Sequence, residues 1–514
     1  MNTYCKRALC ILLLGMLFIP MSAVSQNLEA FEEKVTEFTL DNGLHFIIVE
    51  RDVAPVAHFF TYVDVGSANE PVGATGIAHI FEHMVFKGTR TIGTTNYEEE
   101  IQYINQMDDA YTTWLDEYNK LEPDEAKLDS LWSDFEQLQE KAGEYVVNNE
   151  FTQIIEKEGA NGVNAFTSAD GTGYFYSLPQ NKAELWFMLE ADRFKNPVMR
   201  EFYIEKDVIY EERRQRVDSN PFGRLLEEFS ATAFSAHPYK NPIIGWPSDI
   251  RNTTIADARE FSDKFYAPSS FTIAIVGDVE AGEMRRLADK YFSDMAYEQP
   301  APELRVEEPG QRGERRFVIE DQSQPIYIEG YHTVNNQHPD FQALNLLGRI
   351  MSGGRTSRLY RRMVVEDQSA LQVGAQNGYP GNKYPGLFIN FVIPNQNVDM
   401  SEVEETLREE YQKVIDEGVT REELDRVRTN TRAGLVRTLT SNSGIARTLA
   451  SAHVNGGSWK TAFTNIEELN EVTVEDIQRV AETYIKKNNR TVGMIKNAEQ
   501  ESDDDEMANN QENE

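Results

Sequence analysis

Apolar and polar positions along the chain follow two different periods. Around Asp41-Asn42-Gly43 the positions 35–49 alternate in the manner of strands. An Asn-Gly step between such runs predicts a β-hairpin. The apolar run at 56–65 predicts a further strand. The stretch from Gly73 to Gly88 predicts a helix, with Ile77, Ile80, Phe81, Met84 and Val85 as its apolar positions. From 97 to 147 apolar residues recur at steps of three or four. Ile101, Ile104, Met107, Tyr111, Trp114 and Tyr118 form one run, and Leu128, Leu131, Phe135, Leu138, Ala142 and Tyr145 a second. Glu122-Pro123-Asp124 separates them, so the pattern predicts an antiparallel helical hairpin with acidic outer faces. Strand character returns at 163–178, with a turn at Ala169-Asp170-Gly171, followed by helices over 183–193 and 201–216.

The chain also repeats itself. Thr254, Asp257, Phe261 and Phe265, followed by Thr272 and Ile275, recur as Thr473, Asp476, Val480 and Tyr484, followed by Thr491 and Met494, at a constant offset of 219 without gaps. Each copy reads as a helix with a Thr N-cap followed by a strand. The repeat predicts an α+β protein of two homologous domains, each a mixed or antiparallel sheet covered by helices. The expected boundaries are 31–297 for the first domain, with the helical hairpin as an insertion at about 97–157, then a Pro-rich linker at 298–315 and a second domain at 316–496. Residues 497–514 are acidic and nearly free of apolar side chains, which predicts a disordered tail.

Composition narrows the function classes. Hydrophobic residues make up 40% and charged residues 26% of 514, the balance of a packed globular protein. The formal net charge of -35 argues against a nucleic-acid binder, which needs a basic face. Residues 1–25 read as a secretory signal: Lys6 and Arg7 precede an apolar run, and the small residues Ala23 and Ser25 precede the expected cleavage point at Gln26. Both cysteines, Cys5 and Cys10, fall inside it, so the mature chain is expected to carry neither a disulfide nor a thiolate ligand. No later stretch is apolar for long enough to span a bilayer. The expected destination is export, periplasmic or secreted.

The candidate chemistry lies in His79-Ile80-Phe81-Glu82-His83. Positions i and i+4 of a helix share a face, so both imidazoles can meet one ion, and Glu82 lies beside them. Two imidazoles and a carboxylate suit zinc, which keeps a fourth position for water in catalytic sites. Only 8 histidines occur in the chain, which makes a chance match rare, and the order of letters is that of an inverted zincin motif. A third ligand is required. The helix at 201–216 offers Glu201, Glu205, Glu211 and Glu212, among which spacing does not choose. His45, His58, His332, His338 and His453 have no partner spacing, and His237 reads as loop packing.

Taken together, His79-x-x-Glu82-His83, the stretch from Gly162 through Asn164, Ala165 and Thr167 to Ser168, and Glu205-x-x-Val208-Ile209-x-x-Glu212 resemble the pitrilysin/insulinase family of zinc peptidases. That family includes the mitochondrial processing peptidases and insulin-degrading enzyme. The resemblance covers nearly the whole mature chain and implies one Zn2+ per chain. It implies that Glu212 is the third ligand, Glu205 the carboxylate behind the ligands, and Glu82 the catalytic base. It further implies that Asn164 and Ala165 pair with a substrate backbone on an edge strand, and that Tyr174 helps orient the substrate. The expected activity is zinc-dependent cleavage of peptides or unfolded segments inside an enclosed chamber.

Two features depart from the family pattern. Glu212 lies far from the paired histidines, an excess that the helical hairpin accounts for. The second domain has no His-x-x-Glu-His, and no match appears for the Arg and Tyr that the far half contributes in larger relatives. A homodimer, or a heterodimer with a zinc-free homologue, is therefore expected. The rival readings are a non-proteolytic or partner-dependent subunit and a zinc hydrolase of a non-peptide bond.

Overall fold

The structure, a computed structural model, describes residues 31–296 and 300–497. The expected signal, and the tail beyond Asn497, lie outside the described residues. The predicted hairpin is β1 (Val35–Thr39) and β2 (His45–Glu50), in register from Val35 opposite Val49 to Thr39 opposite His45. These strands join β3 (Val56–Val63), β4 (Asn161–Thr167), β5 (Thr172–Pro179) and β6 (Phe271–Gly277) in a six-stranded sheet of order β1-β2-β6-β3-β5-β4. A second sheet contains β7 (Arg315–Asp321), β8 (Ile326–His332), β9 (Ala370–Tyr379), β10 (Leu387–Pro394) and β11 (Arg490–Asn497) in the order β7-β11-β8-β10-β9. Without β1 the two orders correspond pair for pair. Each holds one parallel pair, β2 on β6 and β7 on β11, among antiparallel neighbours.

Around the sheets run α1 (Ile77–Met84), α2 (Tyr97–Tyr118), α3 (Glu125–Gly143), α4 (Phe202–Arg213), α5 (Pro221–Ala233), α6 (Ile255–Phe265), α7 (Phe341–Ser352), α8 (Asn442–Gly456) and α9 (Val474–Tyr484), with others between them. The repeat is carried by geometry as well as by letters. The offset of 219 maps α6 onto α9 residue for residue, and the first residue of β6 onto that of β11. Both helices open on the same reciprocal cap, in which Thr254 and Asp257, or Thr473 and Asp476, each accept the other's backbone N–H.

The two halves are interlocked rather than side by side. Helix α8, from the second half, sets Ile445, Ala446, Leu449 and Ala450 against Ile47, Val49, Phe60, Ala274 and Val276 of the first sheet. Helix α5, from the first half, sets Leu225, Phe229 and Ala233 against Ile326, Ile328, Leu387, Ile389 and Ile495 of the second. Each large apolar side chain so buried contributes on the order of 1.5–3 kcal/mol, so the exchange ties the halves together. Residues 300–314 between them form neither helix nor strand. Glu308 still pins this stretch to the first half by accepting the backbone N–H groups of Ser235, Ala236 and His237.

Helices α2 and α3 form the predicted hairpin, capped by Asn96 and by Asp124. Its seam buries Ile104, Met107, Tyr111, Leu115, Phe135 and Ala142. The hairpin also rests on α4. The Tyr111 and Tyr203 rings lie 4.1 Å apart, and the Tyr203 hydroxyl donates to Asp108 at 2.6 Å. Two predicted helices end earlier than expected. The stretch from Gly73 to Gly88 is helical only over α1, and the helix at 201–216 gives way after Arg213 to a π-helical turn, Arg214–Asp218. That turn lets α5 double back closely. A Cβ on Gly223 would lie 2.0 Å from the Arg216 carbonyl oxygen, so only glycine fits.

Candidate metal centre

The start of helix α1 is fixed at Gly76. Gly76 takes a left-handed φ of 90°, and a Cβ there would meet the Ile244 carbonyl oxygen at 2.7 Å. The buried Glu70 carboxylate accepts the N–H groups of Gly76 and Ala78 at 2.9 and 3.0 Å, which satisfies donors that the first helical turn leaves free. Ile77, Ile80, Phe81 and Met84 anchor α1 in the core. His79, Glu82 and His83 are thereby presented to a cavity of about 660 Å³. Helix α4 approaches from the other side and delivers Glu212.

The nitrogens His79 Nε2 and His83 Nε2 lie 3.7 and 3.9 Å from Glu212 Oε2. The donor atoms of all three residues fall within 4.8 Å of one another. Tetrahedral zinc, with bonds of about 2.0–2.1 Å, separates its ligand atoms by about 3.4 Å. Small side-chain rotations close that difference, so two imidazoles and one carboxylate oxygen fit the ion. The second oxygen, Glu212 Oε1, is occupied by Arg216 at 2.8 Å, leaving Oε2 as the single donor. Burial, with the charges of His83 and Arg216, pulls His79 down to about 3, so its imidazole is neutral and free to ligate.

His83 and Glu82 each have a support, whereas His79 Nδ1 is buried without a hydrogen-bond partner. His83 Nδ1 bonds Glu205 Oε2 at 3.0 Å, which turns Nε2 toward Glu212. Glu205 Oε1 is held by Lys87 at 2.5 Å, and Lys87 also reaches Glu201 at 3.0 Å. Burial opposes the charge on Glu205, but hydrogen bonds from His83 and Lys87 outweigh it and hold the carboxyl below its ordinary range. Burial likewise opposes a charge on His83, yet Glu205, Glu82 and Glu212 raise its pKa. Glu82 Oε2 accepts the Thr167 hydroxyl at 2.5 Å. Burial lifts the Glu82 carboxyl above its usual range against the pull of Thr167 and His83. Replacing Glu205 by Gln is expected to weaken zinc binding by about 10–100-fold, the usual cost of losing a group that orients a ligand. Competition with a chromogenic chelator measures it, and unchanged affinity would remove Glu205 from this role.

Of the residues expected at the site, His79, Glu82, His83, Glu212, Asn164 and Ala165 all line the cavity. Strand β4 is an edge strand, and the Asn164 side chain covers the Ala165 N–H at 2.8 Å. Tyr174 does not line it. It sits opposite Ala165 on β5 but is only 1% exposed, with its hydroxyl 3.1 Å from that of Tyr266, so it backs the strand from the core. Thr167 figured in the sequence only as part of the family motif, and Lys87, Arg216 and Tyr379 were not among the expected site residues. Lys87 and Arg216 follow His83 and Glu212 by four residues, in the turns just beyond α1 and α4. Tyr379 reaches the cavity from the second half and bonds Ser230 of α5 at 3.1 Å. In the second half α7 occupies the place of α1 between corresponding strands, and its sequence contains neither His nor Glu.

The chain is similar to known proteins over most of its length. The profile of the family described as insulinase (peptidase family M16) matches residues 46–129 and 136–246, and that described as peptidase M16 inactive domain matches 252–431. The chain is 28% identical over 483 residues to zinc protease PqqE of Helicobacter pylori, covering 92% of this chain and 95% of that one. It is 24% identical over 472 residues to the probable mitochondrial-processing peptidase subunit beta of Schizosaccharomyces pombe, covering 88% and 89%. Among solved structures, a protease from Helicobacter pylori superposes with a TM-score of 0.75 at 26% identity, over 90% of this chain and 99% of that one. The periplasmic protease PqqL of Escherichia coli shares the fold, with a TM-score of 0.66 at 19% identity, over 92% of this chain and 48% of that one. Two sheets related by an internal repeat, an inverted His-x-x-Glu-His helix in the first half only and these matches across both halves lead to one conclusion: the chain belongs to the insulinase family of peptidases, family M16.

Proposed function

We propose that the chain is an exported zinc endopeptidase that cleaves peptides or unfolded segments in the cavity between its two halves. The observation that carries this reading is the convergence of His79, His83 and Glu212 beside an independently held Glu82, under the free edge of β4. When bound, zinc polarises the scissile carbonyl and makes water acidic enough to react near neutral pH. The chain's own residues do the rest. An extended substrate adds to β4 as a further strand at Asn164 and Ala165, and its backbone sets the scissile bond. Glu82 takes a proton from the attacking water and returns it to the leaving amine, while the Thr167 hydroxyl holds the carboxylate in position. Arg216 keeps Glu212 to one donor oxygen.

Export rests on the basic and apolar pattern of residues 1–25 and on a fold shared with a periplasmic protease. Among the described residues no helix is long and apolar enough to cross a membrane. A second chain, either another copy or a zinc-free homologue, completes the enclosure. In support, PqqL is about twice the length of this chain, and a relative is a probable processing-peptidase subunit.

Digestion of an unfolded polypeptide with and without chelator tests the activity. Internal cleavage lost with chelator and restored by zinc is expected. Stoichiometric zinc binding without turnover, in the chain alone and with its copurifying partner, would leave the non-proteolytic subunit as the reading.

A further inference from the structure

A second convergence of ligand-type side chains lies away from the candidate centre. His45, on β2, faces the side of the first sheet that α8 covers, and His453 comes from the last turn of α8. Their rings stack with centroids 3.8 Å apart and planes within 8°. Glu37, on the neighbouring β1, brings Oε2 to 3.5 Å from His45 Nε2. The Thr39 hydroxyl holds the other nitrogen, His45 Nδ1, at 2.9 Å. Two atoms are left over: His45 Nε2 and His453 Nδ1 are buried and have no hydrogen-bond partner.

Buried polar atoms are seldom left this way. A proton does not resolve it. Burial, and then the neighbouring His453, pulls His45 down to about 4, and burial lowers His453 as well. Both imidazoles are neutral at neutral pH, and in the tautomers that carry their protons on His45 Nδ1, toward Thr39, and on His453 Nε2 they present two lone pairs beside the Glu37 carboxylate, which a cation satisfies. Two imidazoles and a carboxylate form a donor set suited to zinc, and the three donor atoms lie within 4.8 Å of one another. Stacked rings do not aim their lone pairs at one point, so binding turns one imidazole out of the stack. The Glu37 side chain is 45% exposed and gives the ion a way in.

We propose that Glu37, His45 and His453 form a second zinc-binding site, one that clamps helix α8 of the second half onto the β1-β2 hairpin of the first. Four strand spacings separate β2 from β4 in the sheet, roughly 20 Å, so the clamp is remote from Glu82 and takes no part in cleavage. Its effect is on how firmly the two halves are held together.

The test removes the candidate centre first. Untagged full-length His79→Ala/His83→Ala protein is equilibrated with zinc, gel-filtered and assayed for metal. One zinc per chain is expected to remain, to raise the unfolding temperature, and to vanish with both effects when His453→Ala is added. Zinc content near zero in the His79→Ala/His83→Ala protein, or equal content with and without His453→Ala, overturns the proposal. Should His453→Ala not fold, Glu37→Gln alters only a half-exposed carboxylate. There the expected loss is about tenfold or more in zinc affinity, the scale of removing even a supporting group, and unchanged affinity counts against the site.

Discussion

Replacing Glu82 by Gln is expected to lower kcat on a peptide substrate by about 10²–10⁴-fold, the range attributed to a positioned general base. The amide keeps the size of the side chain and a hydrogen bond with Thr167, so α1 and β4 are left in place. Glu82 is not among the three residues whose donor atoms converge, so zinc affinity is expected to stay near that of the parent protein. KM is expected to change little, because in the proposed function the substrate backbone is held by β4 and not by Glu82. The comparison separates two roles. Loss of turnover with metal retained is the signature of a base, whereas loss of turnover together with metal would make Glu82 a ligand. Unchanged turnover would remove it from the chemistry.

The second large effect is expected at a residue far from any substrate. Glu100 on α2 and Arg200 are both buried, and their contacts run from Arg200 Nε and Nη2 to Glu100 at 2.5 and 2.8 Å. The same guanidinium holds the carbonyl oxygens of Lys87, Ile92 and Thr89 at 2.6, 3.0 and 3.1 Å. Removing Glu100 leaves a buried charge without its counter-ion, a loss of about 3–5 kcal/mol. Glu100→Ala is therefore expected to lower the urea midpoint sharply. The effect should also reach the candidate centre, because Arg200 orders the segment after Lys87, and Lys87 holds Glu205 against His83. Replacing both partners by Met removes the stranded charge but also takes the donor from the Lys87, Ile92 and Thr89 carbonyls, so only partial recovery is expected. If Glu100→Ala unfolds at the same urea concentration as the parent, the pair is not the fastening described here.

How much of this was readable from the letters depends on the range of each interaction. The histidines and Glu82 are four positions apart at most, so helical periodicity alone sets them on one face. The repeat was legible because α6 and α9 keep the same caps and the same length through an offset without gaps. Glu212 was a different matter. Spacing left four acids open on its helix, and only likeness to a family pattern separated them. The exchange of α5 and α8 between the sheets left no trace in the sequence, since an amphipathic helix records that one face is buried but not against which sheet. The same holds for the Glu37, His45 and His453 cluster, which the fold assembles from two strands and a helix of the other half. The family likeness set Tyr174 on the strand paired with that of Asn164 and Ala165; it lies there opposite Ala165, and because directly opposed residues share a face, both side chains turn toward the core.

The central claim is that two imidazoles of one helix and one distant carboxylate hold a single ion. Zinc-edge anomalous diffraction from crystals of the zinc-loaded chain tests it most directly. The predicted result is a peak about 2.0–2.2 Å from His79 Nε2, His83 Nε2 and Glu212 Oε2. A map with no peak between the two imidazoles, or a peak there bound by Glu201 or Glu211 with Glu212 turned away, would contradict it.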